Sequence, residues 1–157
     1  KMEKTFISGV AQVKKVARVA LVGLEDVPGM AYKVFSLLAK AKINVDVILQ
    51  SIGRNNTKDI TFTIPEGSKD LCQKILEENQ ENLRFSSMNI STDVAKVSIV
   101  GAGMAENTGI AAAMFEALYN NQINIHMIST SEIKVSVLID KADSEKAMRA
   151  IHDKFFD

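Results

Sequence analysis

Apolar and polar positions along the chain fall into one pattern written twice. Setting residues 16–51 above 94–131, with two residues added in the second copy, brings Gly29 onto Gly109, Phe35 onto Phe115, Ile43-Asn44-Val45 onto Ile123-Asn124-Ile125, and Ser51 onto Ser131. In each copy, alternating apolar residues (Val19 and Leu21; Val97 and Ile99) predict a strand ending in a glycine turn. Apolar residues at helical spacing follow, Ala31, Val34, Phe35 and Leu38 in one copy and Ala111, Met114, Phe115 and Leu118 in the other. Those stripes read as core. Two strands come next, "INVDVILQS" then "DITFTI", and "INIHMISTS" then "KVSVLI", close enough in sequence to form antiparallel hairpins. The first join is the longer, through "GRNNTKD", and a second helix follows, with Ser68 and Asp143 as expected N-caps.

A fourth strand near residues 84–90 completes the first copy as βαββαβ, whereas the second copy reaches Asp157 just after its helix, one strand short. A spare strand, "TFISGVAQ" (5–12), precedes the first copy. An unpaired edge of buried strand invites aggregation, so residues 5–12 are expected to complete the second sheet. The expected class is α+β, with two ferredoxin-like units. The first unit (14–92) is then inserted within the second (5–12 plus 93–157).

Composition narrows the function. A chain of 157 residues, 46% hydrophobic and 24% charged, can bury a core as one domain or two small ones. Its 19 basic and 19 acidic residues cancel and nowhere cluster, so no nucleic-acid or anionic-membrane partner is indicated. No apolar run is long enough to span a bilayer, and "KMEKTFISGVAQVKK" lacks the apolar stretch of a secretory signal, which suggests a cytoplasmic location. Cys72, the only cysteine, sits on the apolar face of a helix with Leu71, Ile75 and Leu76 and is expected to be packed.

Catalytic patterns are missing where they first suggest themselves. "SIVGAGMAENTG" resembles a dinucleotide turn, yet the position three after Gly103 is Glu106, a carboxylate where a third glycine should admit a pyrophosphate. His126 and His152 lie far apart without a third ligand at metal spacing, and Glu77, Glu78 and Glu81 read as a solvated helix face. No cofactor or metal is expected. The first turn, "DVPGMA", is different in kind: Pro28 suits a helix start, Asp26 can cap it, and the amides of Gly29, Met30 and Ala31 would then face outward beside a partial positive charge. Such a turn suits a small carboxylate. An amino group on the same ligand would need acceptors, and the next strand offers main-chain carbonyls around Val45 together with Asn44 and Asp46, with Gln50 farther along. The alternative is that Asp26 only caps, Gly29 only lets helix and strand touch, and Asn44 only turns the chain.

Paired units opened by Asp-x-Pro-Gly and carrying Ile-Asn-Val or Ile-Asn-Ile strands resemble tandem ACT domains, small ligand-binding modules that regulate enzymes of amino-acid metabolism. The segments "ISGVA", "DVPGMAYKVFSLLAKAKINVDVILQ", "DITFTI", "KVSIVGAGM" and "INIHMISTSEIKVSVLI" are similar to the regulatory portion of aspartokinases, over nearly the whole chain. That resemblance implies a non-catalytic regulatory subunit or fragment, homodimeric through its ACT units and acting on a catalytic aspartokinase chain. Threonine, lysine or both would bind at ACT interfaces and exert feedback inhibition. It further implies that Asp26, Gly29, Ala31 and Gln50 contact the ligand, and it matches Asn124, Ile125 and Ser131 to contributing positions. The turn Glu106-Asn107-Thr108-Gly109 departs from the family's pattern, and the resemblance carries no equivalent site there. A regulatory module of another amino-acid enzyme and a purely structural dimerisation piece are the alternatives.

Overall fold

The structure is a computed structural model that describes residues 7–103 and 109–156. The elements run β1 (Ile7–Glu25), α1 (Met30–Lys40), β2 (Ile48–Ile52), β3 (Thr57–Pro65), α2 (Lys69–Glu78), α3 (Gln80–Leu83), β4 (Ser87–Gly101), α4 (Gly109–Asn120), β5 (Ile125–Thr130), β6 (Lys134–Asp140) and α5 (Ser144–Phe156). The chain divides into a central unit, Lys15–Thr92, and a terminal unit that joins residues 1–14 to Asp93–Asp157. Both boundaries fall inside strands, β1 and β4.

Within the central unit the strands are ordered β2-β3-β1-β4. Antiparallel pairing sets Ala17 opposite Ile64, Val19 opposite Phe62 and Leu21 opposite Ile60, so these side chains share one face of the sheet. Val34 and Leu38 of α1 and Cys72 and Leu76 of α2 close over that face, all fully buried. Phe35 meets Phe62 edge-on, with ring centroids 5.3 Å apart and planes at 76°. Each such buried side chain contributes about 1.5–3 kcal/mol relative to an exposed one, which gives the unit a core of its own.

The terminal unit repeats the plan with the order β1-β4-β6-β5. Val97 pairs with Val137 and Ile99 with Val135, and their face packs against Ile110, Met114 and Leu118 of α4 and Ala147, Ile151 and Phe155 of α5. On the same ladder the Ser98 and Ser136 hydroxyls, both buried, satisfy each other at 2.7 Å. The helical stripes expected from sequence are therefore core in both units.

Several expected boundaries move. Residues 7–12 of the expected first strand and the strand holding Val19 form one continuous β1, because nothing in "QVKKVARVALVG" breaks an extended chain; Thr5 and Phe6 lie outside the described residues. The strand expected at 84–90 starts at Ser87 and continues into the one holding Val97, while Arg84 adopts a left-handed conformation and Phe85 is buried. Regular pairing of β2 starts at Ile48, five residues past Ile43, because the Val47 N–H donates to the Thr63 hydroxyl (3.0 Å) and the Asp46 N–H to the Thr63 carbonyl (3.1 Å). The first hairpin loop is only slightly longer than the second, since most of the extra residues lengthen the hairpin ends of β2 and β3 alike. Ser68 stands at the N-cap of α2, as expected, but makes no side-chain capping bond, and Asp143 directly precedes α5 as the last residue of a 3-10 turn, 3.8 Å from Lys146.

Candidate functional site

β1 delivers the Asp-Val-Pro-Gly turn at the end of the central sheet. Its last ladder pair is Glu25 with Thr57, and the next residue, Asp26, donates its N–H to the Asn56 carbonyl at 2.9 Å. That bond ties the turn to the loop joining β2 and β3. The Asp26 carboxylate is half exposed and stands 3.7 Å from the ammonium of Lys58, whose side chain is only 12% exposed. Water screens the pair from the Asp26 side, and at that separation it is worth no more than about 1 kcal/mol.

Asp26 does not cap α1, contrary to expectation. Gly29 is the N-cap, with φ of 90° and no side-chain capping bond, so Pro28 lies ahead of the helix. A left-handed conformation there calls for glycine, and a Cβ at Gly29 would meet nothing within 4 Å. The opening amides of α1 are thus left for water or a ligand, at the helix end that favours anions. Met30 is 2% exposed and belongs to the core, so only its main chain can face a ligand; Ala31 is half-buried.

Gln50 is exposed and pairs with Ile60, which places it on the helix-bearing face of the sheet, the face that Lys58 shares. Asn44, Val45 and Asp46 fall at the opposite end. The Asp46 N–H bonds the Thr63 carbonyl, and Thr63 pairs with Arg18, eight residues before Asp26 along β1, or roughly 25 Å at strand spacing. One unit therefore does not bring these acceptors to the turn. The terminal unit separates its residues in the same way. Exposed Asn124 and half-buried Ile125 open β5, while Ser131 follows its far end, where its N–H donates to the Lys134 carbonyl at 2.8 Å. The turn residues Glu106, Asn107 and Thr108 lie outside the described residues.

Other candidate chemistry resolves into structure. His126 sits at an irregularity of β5 and meets the Asp140 carboxylate at 2.7 Å, and the His152 ring lies 4.9 Å from that of Phe156. Cys72 is fully buried, and burial pushes its thiol up to about 11. Among the described residues no group of three or more His, Cys, Asp or Glu is placed to hold a metal ion, and no helix is long and apolar enough to cross a membrane. Sequence reasoning missed Lys58 and Asn56, which flank Asp26 through the hairpin; the run "NNTKD" shows the loop but not where it folds.

Comparison with known proteins follows the same division. The ACT domain family matches residues 19–80 and 97–155, one match in each repeat. The regulatory subunit of aspartate kinase from Thermus thermophilus, in its ligand-free form, is 36% identical with a TM-score of 0.89, over 95% of this chain and 99% of that one. The chain belongs to the aspartokinase regulatory family of ACT-domain proteins. A crystal structure of aspartokinase alpha and beta subunits is similar as well, at 44% identity and a TM-score of 0.88, over 95% and 98% of the two chains. Among full-length relatives, the aspartate kinase of Pseudomonas fluorescens is 43% identical over 98% of this chain and the aspartokinase of Helicobacter pylori 44% over 97%. The chain spans about 37% of the length of either. That share is the regulatory, ACT-bearing part, and the kinase part of those aspartokinases has no counterpart in these 157 residues.

Proposed function

We propose that this regulatory chain binds an end-product amino acid, threonine, lysine or both, and transmits feedback inhibition to a catalytic aspartokinase part in the cytoplasm. The observation that carries the proposal is the uncapped start of α1 at a left-handed, sterically open Gly29, three residues after the exposed carboxylate of Asp26. Helix amides for a carboxylate and an aspartate for an ammonium match the two ends of an amino-acid zwitterion. Gln50, Gly29 and Ala31 complete this half.

The other half comes from a second chain. β2 and β5 each lie at an edge of their unit's sheet. Laid antiparallel, β2 of one chain and β5 of another would bring Asn124 and Ile125, at the start of one strand, beside the far end of the other, where the Asp26 turn lies. Such pairing makes the protein a homodimer through its ACT units. A ligand shared between chains tightens the dimer and favours one arrangement of the kinase by its differential affinity, typically about 1–3 kcal/mol per coupled site.

Calorimetric titration of threonine, then lysine, at a known oligomeric state tests this reading. Saturable binding is expected, and Asp26→Ala should weaken it about tenfold or more, the loss of one bond to a charged group, with the fold unchanged. No heat from either amino acid would sink the reading.

A further inference from the structure

We propose that Asp59 is a positioning residue of the effector turn, an inference that rests on the amino-acid-binding role assigned above to the Asp26–Ala31 segment. The ladder between β1 and β3 slips once: Leu21 faces Ile60 and Leu24 faces Lys58, so Val22 and Gly23 together stand against Asp59 alone. This is a β-bulge, and it is held from both flanks. The Gly23 N–H, turned out of the ladder, donates to the Asp59 carboxylate at 3.0 Å, and the Val22 carbonyl accepts the Ser86 N–H at 2.8 Å.

The bulge decides what lies beyond it. In an unbroken strand Leu24 would fall on the face opposite Leu21, because side chains alternate. One inserted residue reverses the alternation, so Leu24 is fully buried on the same face as Leu21. The same reversal carries Asp26, two residues later, to the face of Lys58 and sets where Gly29 opens α1. Without a partner for the Gly23 N–H the bulge loses its anchor on β3, and the turn loses its aim while every residue in it remains present.

The test compares Asp59→Ala with Asp59→Asn, which keeps an acceptor oxygen. Backbone amide NMR resonances of residues 23–31 and calorimetric titration with threonine and lysine are the readouts. Asp59→Ala should shift those amides and lower affinity about tenfold, as expected for one hydrogen bond to a charged group; Asp59→Asn should restore both. Asp59→Ala should cost less affinity in the Asp26→Ala background than in the wild-type chain, since only the aim of the Gly29–Ala31 amides is then left to lose, a coupling that a general loss of stability would not produce. Wild-type amides and affinity in Asp59→Ala would overturn the proposal, as would an Asp59→Asn variant that behaves like the alanine one. Should the wild-type chain bind neither amino acid, the functional reading fails, and the amide shifts alone decide the role of Asp59. Should Asp59→Ala fail to fold, Asp59→Glu, which carries the carboxylate one methylene past Gly23, takes its place with the same expected pattern.

Discussion

Gly23 and Gly29 offer a paired test of the packing around the turn, because both are left-handed and only one is crowded. Replacing either by alanine places a Cβ in a conformation that costs an L-residue roughly 1–2 kcal/mol, partly offset by about 0.4–1 kcal/mol from the less flexible unfolded chain. At Gly29 nothing lies within 4 Å of the new atom, so the net loss should stay near 1 kcal/mol. At Gly23 the Cβ would collide with the Ser86 hydroxyl oxygen and lie 2.9 Å from the Ser86 Cβ. The oxygen can rotate away, but the Cβ moves only with its backbone, which already donates to Val22. Overpacking of that kind adds about 1–3 kcal/mol, so Gly23→Ala should be the less stable variant by that margin. Urea unfolding at constant m-value measures the difference. Ser86→Gly in the Gly23→Ala background should recover the clash and leave the conformational cost. Equal stability of the two alanine variants, or no recovery, would refute the steric argument.

Two further outcomes follow from buried polar groups. Ser98→Ala or Ser136→Ala alone should cost about 1–3 kcal/mol by leaving one buried hydroxyl unpaired, whereas the double replacement should cost less than the sum, read from the same unfolding curves. Burial raises the Cys72 thiol from its ordinary 9.0 to about 11, so the stabilisation it carries is present below pH 9 and is lost as pH rises toward 11. At pH 8 iodoacetamide should modify it only as fast as the central unit opens, and modification as fast as in urea-unfolded protein would contradict its burial.

The repeat and the core were legible because burial enforces periodicity: Val19, Leu21, Val34 and Leu38 are fully buried as their spacing requires, and so are Val97, Ile99, Met114 and Leu118. Strand limits were less so. Lys14 and Lys15 look like an interruption, but an exposed strand position accepts lysine, and β1 runs straight through them. The candidate turn was visible through Pro28 and Gly29, while the capping role expected of Asp26 failed because the left-handed Gly29 starts the helix three residues later. Asp59 gave no signal at all. Its part depends on a register slip between β1 and β3 that local sequence does not encode, since Gly23 in an apolar strand marks a bulge only once its partner is known.

The central claim is regulatory, and it is tested most directly on the kinase itself. The rate of the aspartokinase assembled with this chain should be measured against rising threonine and lysine, with the wild-type chain and with Asp26→Ala. The account predicts saturable inhibition by one or both amino acids and a shift of the Asp26→Ala curve to higher concentration by about tenfold, with the uninhibited rate unchanged. A rate that ignores both amino acids, or an inhibition curve that Asp26→Ala leaves in place, would contradict it.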